Sequence, residues 1–224
     1  MTRLVEVIEV SDPAPDSVAR VVGKITQSES ATCTLLADDT GSHNLGLWKV
    51  SGATCTLFLK IIPHPDDDID DFVSLLSRDN RIIHDRRFML PHRILTVMHN
   101  SQPLYFALVS KFIDNATTLA DYLAEKWFAK STDEMTAVCE RFGEFLRGIS
   151  ADYSAKLVHN DMTPSNALIA NDDFFLIDCV GMSDDGLGDD CASFLNSIDL
   201  LGVLYGPEFT LLVSSAFLSG YQGT

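Results

Sequence analysis

Basic residues are scarce in this 224-residue chain, and none follows Lys156. The chain holds 16 Lys and Arg against 32 Asp and Glu, which gives a formal net charge of -16. Nine Asp and one Glu lie in the stretch that has no bases. General nucleic-acid binders and proteins that dock on anionic membranes need the opposite field. The charge balance therefore argues against both classes and favours cationic or metal-bridged partners.

Disulfide and membrane signals are also missing. The five cysteines are an odd number and form no C-x-x-C pair, so neither a disulfide framework nor a zinc ribbon is indicated. No apolar run reaches membrane-spanning length, and the start of the chain lacks the pattern of a secretory signal. We therefore expect a reducing, cytoplasmic location, and export by a signal-less route remains open.

The first half of the chain has the pattern of a small antiparallel sheet. Runs rich in Thr, Val, Leu and aromatic residues are separated by polar turns that contain Gly, Pro or Asn. Between the third and fourth runs, acids followed by apolar residues near helical spacing predict one helix over 65–81. The five predicted strands are 32–37, 44–50, 54–62, 93–98 and 104–113.

After residue 113 the pattern becomes helical. Helices are predicted over 117–128 and 131–150, and two more follow from about Asp189, with Pro207 beginning the second. Ser131, followed three residues later by Glu134, predicts a capping box. Short strands are predicted over 156–159, 167–169 and 173–178. The chain is therefore expected to be α+β, with a boundary near residues 110–116.

The most specific string is LVHNDMTPSNALIANDDFFLIDC, which begins at residue 157. It contains His159, Asp161 and Asn166 in the pattern H-x-D-x-x-x-x-N, and Asp178 follows at the end of an apolar strand. This spacing places a carboxylate and an amide on one tight loop and a second carboxylate on the neighbouring strand. Phosphoryl transfer requires such a set, because one carboxylate orients the attacking hydroxyl while oxygen ligands hold magnesium against the phosphates.

This segment resembles the catalytic loop and metal-binding strand of the protein-kinase-like superfamily. It is most similar to the H-G-D-x-x-x-x-N loops of aminoglycoside and choline phosphotransferases and of small atypical kinases. The resemblance implies that Asp161 is the catalytic base, that Asn166 and Asp178 bind Mg²⁺, and that His159 is a scaffold residue.

The resemblance also implies a bilobal, kinase-like α+β fold. We expect a five-stranded antiparallel N-lobe over 31–112 and a minimal helical C-lobe over 113–224. Residues 1–30 are then an N-terminal extension.

Nucleotide contacts are implied at several further positions. Lys60 ends the strand TLFLK and matches the V-A-I-K lysine, which grips the α and β phosphates and assists catalysis. Gly41 lies in the turn that takes the place of the glycine-rich loop. Ser110, Phe112 and Ile113 correspond to the hinge that binds adenine.

The sequence departs from ordinary protein kinases. No Glu that could pair with Lys60 occurs between Lys60 and Gln102, and Asn160 replaces the arginine that commonly precedes the catalytic aspartate. The stretch from Asp178 to Asp190 is too short for a standard activation segment. Asp190 either supports the catalytic loop by hydrogen bonds, as in the small-molecule branch, or is simply an acid at a helix N-terminus.

These features favour an ATP- and Mg²⁺-dependent phosphotransferase that transfers the γ-phosphoryl group to a hydroxyl acceptor. The acidic tail favours a cationic small molecule of the aminoglycoside or choline type. A minimal atypical protein Ser/Thr kinase that acts on a basic protein region, including one secreted as an effector, is the first alternative. A pseudokinase binding module is the second, supported by the degenerate phosphate loop. Neither a nucleic acid nor a membrane is expected as a partner.

Overall fold

The chain forms two compact units in a computed structural model that describes residues 5–27, 31–37, 45–53, 55–64 and 66–223. The first unit comprises Met1–Asp70 and Leu90–Ile113, and the second comprises Asp71–Met89 and Asp114–Thr224. The predicted glycine turn around Gly41 lies outside the described residues.

A six-stranded mixed sheet dominates the first unit, with strand order β1-β5-β6-β4-β3-β2. Neighbouring strands pair antiparallel except β1, which lies parallel to β5 at one edge. The expectation of five antiparallel strands is therefore wrong by one strand and one pairing. The strands are β1 (Val5–Glu9), β2 (Thr32–Ala37), β3 (Gly46–Ser51), β4 (Thr56–Pro63), β5 (Arg93–His99) and β6 (Gln102–Lys111).

The additional strand is held by contacts with residues far along the chain. The backbone N–H of Val10 donates to the Met98 carbonyl at 2.8 Å, just beyond the register that pairs Glu9 with Met98. The side chain of Arg93 forms an ion pair with Glu6 at 2.8 Å. The strand consists of residues 5–9, which were expected to belong to an N-terminal extension and not to the sheet.

Helix α1 (Pro15–Gln27) covers one face of this sheet. Its apolar residues Val18 and Val22 are fully buried against Leu59 and Ile61 of β4. Asp12 precedes the helix and accepts hydrogen bonds from the Ala14 backbone and the Ser17 hydroxyl, which fixes the point where the helix begins. The core of the first unit therefore lies between α1 and the sheet.

Helices make up most of the second unit. The helix predicted over 65–81 is divided into two, because Asp79 leaves helical geometry and caps the second by accepting from the Arg81 backbone. Pro207 begins the last helix, as predicted. The helices are α2 (Asp67–Arg78, beginning in the first unit), α3 (Asn80–His84), α4 (Leu119–Phe128), α5 (Thr132–Asp152), α6 (Asp190–Tyr205) and α7 (Pro207–Gln222).

The predicted capping box at the start of α5 is absent. Ser131 occupies the capping position but makes no side-chain hydrogen bond there. Glu134 instead forms an ion pair with Lys126 of α4 at 2.7 Å. The glutamate has an oppositely charged partner on the neighbouring helix, so it does not turn back to the cap.

Helices α5 and α7 form the centre of the second unit. Their backbones approach closely at Gly143 and Gly220, where a Cβ atom would collide with backbone atoms of the other helix. Phe142, Phe194 and Phe217 pack around this contact and are fully buried. None of the helices in the described ranges is long and apolar enough to span a membrane.

A small antiparallel sheet completes the second unit and holds the conspicuous motif. Its strands are β7 (Thr117–Thr118), β8 (Ala167–Ala170) and β9 (Asp173–Leu176), in that order. Residues 159–166 form the loop that leads into β8, and Asp178 follows the end of β9. The predicted strand over 156–159 is reduced to a single bridge between Val158 and Ser183.

Candidate active site

His159 anchors the loop from inside the second unit. Its side chain is buried, and Nε2 donates to the carbonyl oxygen of Ile177 at 2.8 Å. A carbonyl can only accept, so Nε2 carries a proton. Within the described residues, the buried Nδ1 atom has no hydrogen-bond partner. His159 therefore ties the loop to the end of β9, which suits the scaffold role that the resemblance implies.

Asp161 and Asn166 lie side by side on the loop. The Asn166 amide nitrogen donates to the Asp161 carboxylate at 2.8 Å and to the Asp161 backbone carbonyl at 2.9 Å. The Asn166 backbone carbonyl accepts the N–H of Ile177 at 3.0 Å. Ile177 is thus bound by both His159 and Asn166. The chain is thereby fixed one residue before Asp178.

Asp178 has left-handed backbone geometry, with φ 59° and ψ 43°. This conformation is uncommon for residues other than glycine, although Asp and Asn tolerate it better than most. A short 3-10 helix, Cys179–Gly181, follows at once, and the Cys179 thiol is buried. Burial raises the pKa of that thiol, which suits a packing role for this cysteine.

Asp190 supports the loop from the first turn of α6. Its carboxylate accepts the backbone N–H of His159 at 3.0 and 2.9 Å and that of Asn160 at 3.2 Å. Burial raises the pKa of Asp190, although the backbone donors oppose the shift. These hydrogen bonds are the ones expected if Asp190 supports the candidate catalytic loop.

The oxygen atoms of this site suit magnesium. The donation to Asp161 fixes the Asn166 amide so that Oδ1 is its acceptor atom, and among the described residues nothing donates to that oxygen. Mg²⁺ prefers carboxylate and amide oxygens of this kind. The described residues contain no group of three or more His, Cys, Asp or Glu that could hold a metal on its own. The ligand roles of Asn166 and Asp178 remain predictions.

Lys60 belongs to the first unit, on the central strand β4. It pairs with Leu47 of β3 and Leu108 of β6. Its strand neighbours Leu59 and Ile61 are fully buried on the face that α1 covers. Because side chains alternate along a strand, Lys60 projects from the opposite face.

The residues assigned to the adenine hinge lie at the end of β6. Ser110 pairs with Phe58, and the N–H of Phe112 donates to the Thr56 carbonyl at 3.2 Å. The ammonium group of Lys49 lies over the Phe112 ring, 4.3 Å from its centre. Ile113 is the last residue of the first unit. This lysine was not singled out from the sequence, because only the register of β3 places it on the same face as Phe58.

Comparisons with known proteins place the fold. No protein-family model and no curated protein matches the chain. Among solved structures, it is similar to the BubR1 kinase domain with a TM-score of 0.54 and 15% identity, over 84% of this chain and 56% of that one. It is similar to a glucosamine kinase with a TM-score of 0.50 and 12% identity, over 95% of this chain and 72% of that one. The chain has a kinase-like fold. It spans little more than half the length of the BubR1 kinase domain.

Proposed function

We propose that the chain is a phosphotransferase that uses ATP and Mg²⁺ to phosphorylate a hydroxyl group. The kinase-like fold supports this class. The observation that carries the proposal is the contact between Asn166 and Asp161 at 2.8 Å, with Asp178 fixed next to Ile177. The loop thus provides Asp161 and Asn166, and the end of β9 provides Asp178.

Each residue has a distinct task in this proposal. Asp161 orients the acceptor hydroxyl and takes its proton as the phosphoryl group is transferred. Asn166 and Asp178 hold magnesium, which neutralises phosphate charge when it is bound. Lys60 binds the α and β phosphates, and the backbone around Ser110, Phe112 and Ile113 binds adenine. Gly41 contributes to the phosphate turn.

The acceptor is proposed to be a small cationic alcohol of the aminoglycoside or choline type. The residues from 157 onward carry ten acids and no Lys or Arg. Several of these acids, including Asp184, Asp185 and Asp189, are exposed in the segment that follows Asp178. A cationic acceptor is attracted by this field, whereas an anionic one is repelled.

Turnover of ATP tests the proposal. Purified protein is given ATP with Mg²⁺ and a panel of amino-sugar and choline-like alcohols, and ADP release is measured. We expect Asp161→Asn to abolish release and to retain ATP binding, because only the proton acceptor is lost. Asp199→Asn, the same change at an exposed acid of α6, is the matched control and should leave release unchanged. Equal activity of Asp161→Asn and wild type would contradict the proposal.

A basic region of a protein is the alternative acceptor. Labelled ATP is added to a cell lysate with the purified chain, and the lysate is then divided into macromolecular and small-molecule fractions. Label in the small-molecule fraction supports the amino-alcohol acceptor. Label in protein, lost with Asp161→Asn, favours the minimal atypical protein kinase instead.

A pseudokinase binding module is the second candidate function. It is favoured by the sheet face that carries Lys60, where the ammonium group of Lys49 lies over the Phe112 ring, 4.3 Å from its centre. The bulky side chain of Phe58 precedes Lys60 by two residues on the same face. We infer that both features leave less room for adenine. Absence of ADP release with every acceptor, together with ATP binding that does not depend on Mg²⁺, would favour this module.

A further inference from the structure

The segment that follows Asp178 is hydrogen-bonded to the residues that lead into the candidate catalytic loop. Val158 and Ser183 exchange two backbone hydrogen bonds, of 2.9 and 3.0 Å. The Gly186 N–H donates to the Lys156 carbonyl at 3.1 Å. Residues 179–189, called the post-Asp178 segment below, therefore have a defined conformation.

Asn160 makes the side-chain contacts that bind this segment. Its amide nitrogen donates to the Gly181 carbonyl at 2.8 Å and to the Ser183 hydroxyl at 3.0 Å. Gly188 approaches so closely that a Cβ atom there would lie 2.5 Å from Asn160 Oδ1. The post-Asp178 segment thus passes around Asn160 and touches it at three points.

Few residues could replace Asn160. Its φ of 69° lies in the left-handed region, which asparagine adopts more readily than most residues. Its backbone N–H also donates to Asp190 at 3.2 Å, so the side chain starts from a fixed position. An amide has two N–H bonds and can serve two acceptors at once, whereas a carboxylate of the same shape can serve neither.

We propose that Asn160 is a positioning residue that keeps the post-Asp178 segment ordered without phosphorylation. Ser183 is the only hydroxyl residue in the segment, and its Oγ atom accepts from Asn160 and donates to Asp185 at 3.0 Å. A phosphate on Ser183 would remove the donation to Asp185 and place negative charge beside that carboxylate. Because the segment begins beside Asp178, its order fixes the position of that carboxylate. This inference rests on the proposed function for its catalytic consequence, but not for its structural one.

Amide hydrogen exchange tests the structural consequence. The protected amides are those of Ser183 and Gly186, whose acceptors are the carbonyls of Val158 and Lys156, just before the candidate catalytic loop. With Asn160→Asp, which keeps the shape but loses the donors, we expect these amides to exchange roughly tenfold faster, since two exposed hydrogen bonds are lost. Asn160→Gly keeps the left-handed backbone and should give the same acceleration. Asn196→Ala, on the exposed side of α6, is the control and should have no effect.

The magnesium dependence of turnover tests the catalytic consequence. If Asn160 positions Asp178, Asn160→Asp should raise the Mg²⁺ concentration needed for half-maximal ADP release by roughly three- to tenfold. A variant that only loses folded protein would lower the maximal rate and leave this concentration unchanged. Phosphatase treatment of the wild-type chain should alter neither exchange nor turnover.

Two results would overturn the inference. One is exchange at Ser183 and Gly186 that is the same in wild type, Asn160→Asp and Asn160→Gly. The other is wild-type protein whose segment loosens after phosphatase treatment. If the wild-type chain releases no ADP at all, the proposed function fails, whereas the exchange measurements still decide the role of Asn160.

Discussion

Replacing Asp190 by alanine should destabilise the second unit more than any comparable change of an acid nearby. The carboxylate accepts backbone N–H groups from His159 and Asn160. The His159 side chain is buried, so water does not readily replace the lost acceptor there. One buried donor without an acceptor costs about 1–3 kcal/mol, and hydrogen bonds to a charged group lie at the upper end of that range. The partly exposed Asn160 donor adds less.

The expected loss is therefore about 2–4 kcal/mol for Asp190→Ala. The neighbouring residue supplies the control, because Asp189 caps α6 through one hydrogen bond to the Ala192 N–H at 3.0 Å. Loss of that exposed cap costs about 1 kcal/mol. Urea unfolding followed by circular dichroism measures both variants against wild type. A smaller loss for Asp190→Ala than for Asp189→Ala would refute the view that Asp190 holds the loop.

Three further predictions concern packing, pH and nucleotide binding. In α5, Gly143→Ala should cost about 3 kcal/mol or more in unfolding free energy, because the added Cβ meets the Phe217 backbone, whereas Gly148→Ala should gain up to about 1 kcal/mol. Burial raises the pKa of Asp85, but the hydrogen bonds from Arg87 lower it by more, so that the pKa lies below its ordinary value. The free energy of unfolding should therefore fall as the pH drops below about 4. Lys60→Met should weaken Mg²⁺-ATP binding at least tenfold by calorimetry, since a charge-assisted hydrogen bond is worth about 1.5–3 kcal/mol.

Each of these has its own control. The two glycine variants control one another, because they lie in the same helix and differ mainly in what the new methyl group meets; equal stabilities would contradict the packing argument. Ionised Asp85 stabilises the fold fully above the pKa that the carboxyl has in the unfolded chain, and this stabilisation is lost as the pH falls through its lower pKa in the folded chain. Arg87→Ala should therefore make the free energy of unfolding depend less steeply on pH in the acid range. The same pH dependence in Arg87→Ala and wild type would argue against a stabilising Asp85–Arg87 ion pair. Lys24→Met, on the exposed side of α1, should leave nucleotide binding unchanged.

The sequence predicted elements whose pattern is local. The strand and helix periodicities of β2 to β6 and of α4 to α7 lie in their own residues, and the predicted ranges overlap the observed ones. The parallel pairing of β1 with β5 joins residues about ninety positions apart and leaves no local mark. Helix α1 did leave a signal that could have been used, since Val18, Val22 and Ile25 follow helical spacing after Pro15.

The site was predictable only in part, for the same physical reason. The spacing of Asp161 and Asn166 places them on one loop, and the structure joins them by a hydrogen bond. The contact of Asn160 with Gly181 spans 21 residues and depends on the turn between them, so the sequence showed only that the usual arginine was missing. Glu134 forms an ion pair with Lys126 on another helix, and a local capping pattern does not reveal this contact.

Binding of Mn²⁺ and ATP, measured by electron paramagnetic resonance, tests the central claim most directly. Mn²⁺ replaces Mg²⁺ at oxygen ligands and reports on its own coordination. We predict that wild-type protein and Asp161→Asn bind Mn²⁺-ATP equally, that Asp178→Asn loses at least tenfold in affinity, and that only wild type then releases ADP. Undiminished Mn²⁺-ATP binding by Asp178→Asn, or ADP release by Asp161→Asn at the wild-type rate, would contradict the assignment of these two carboxylates.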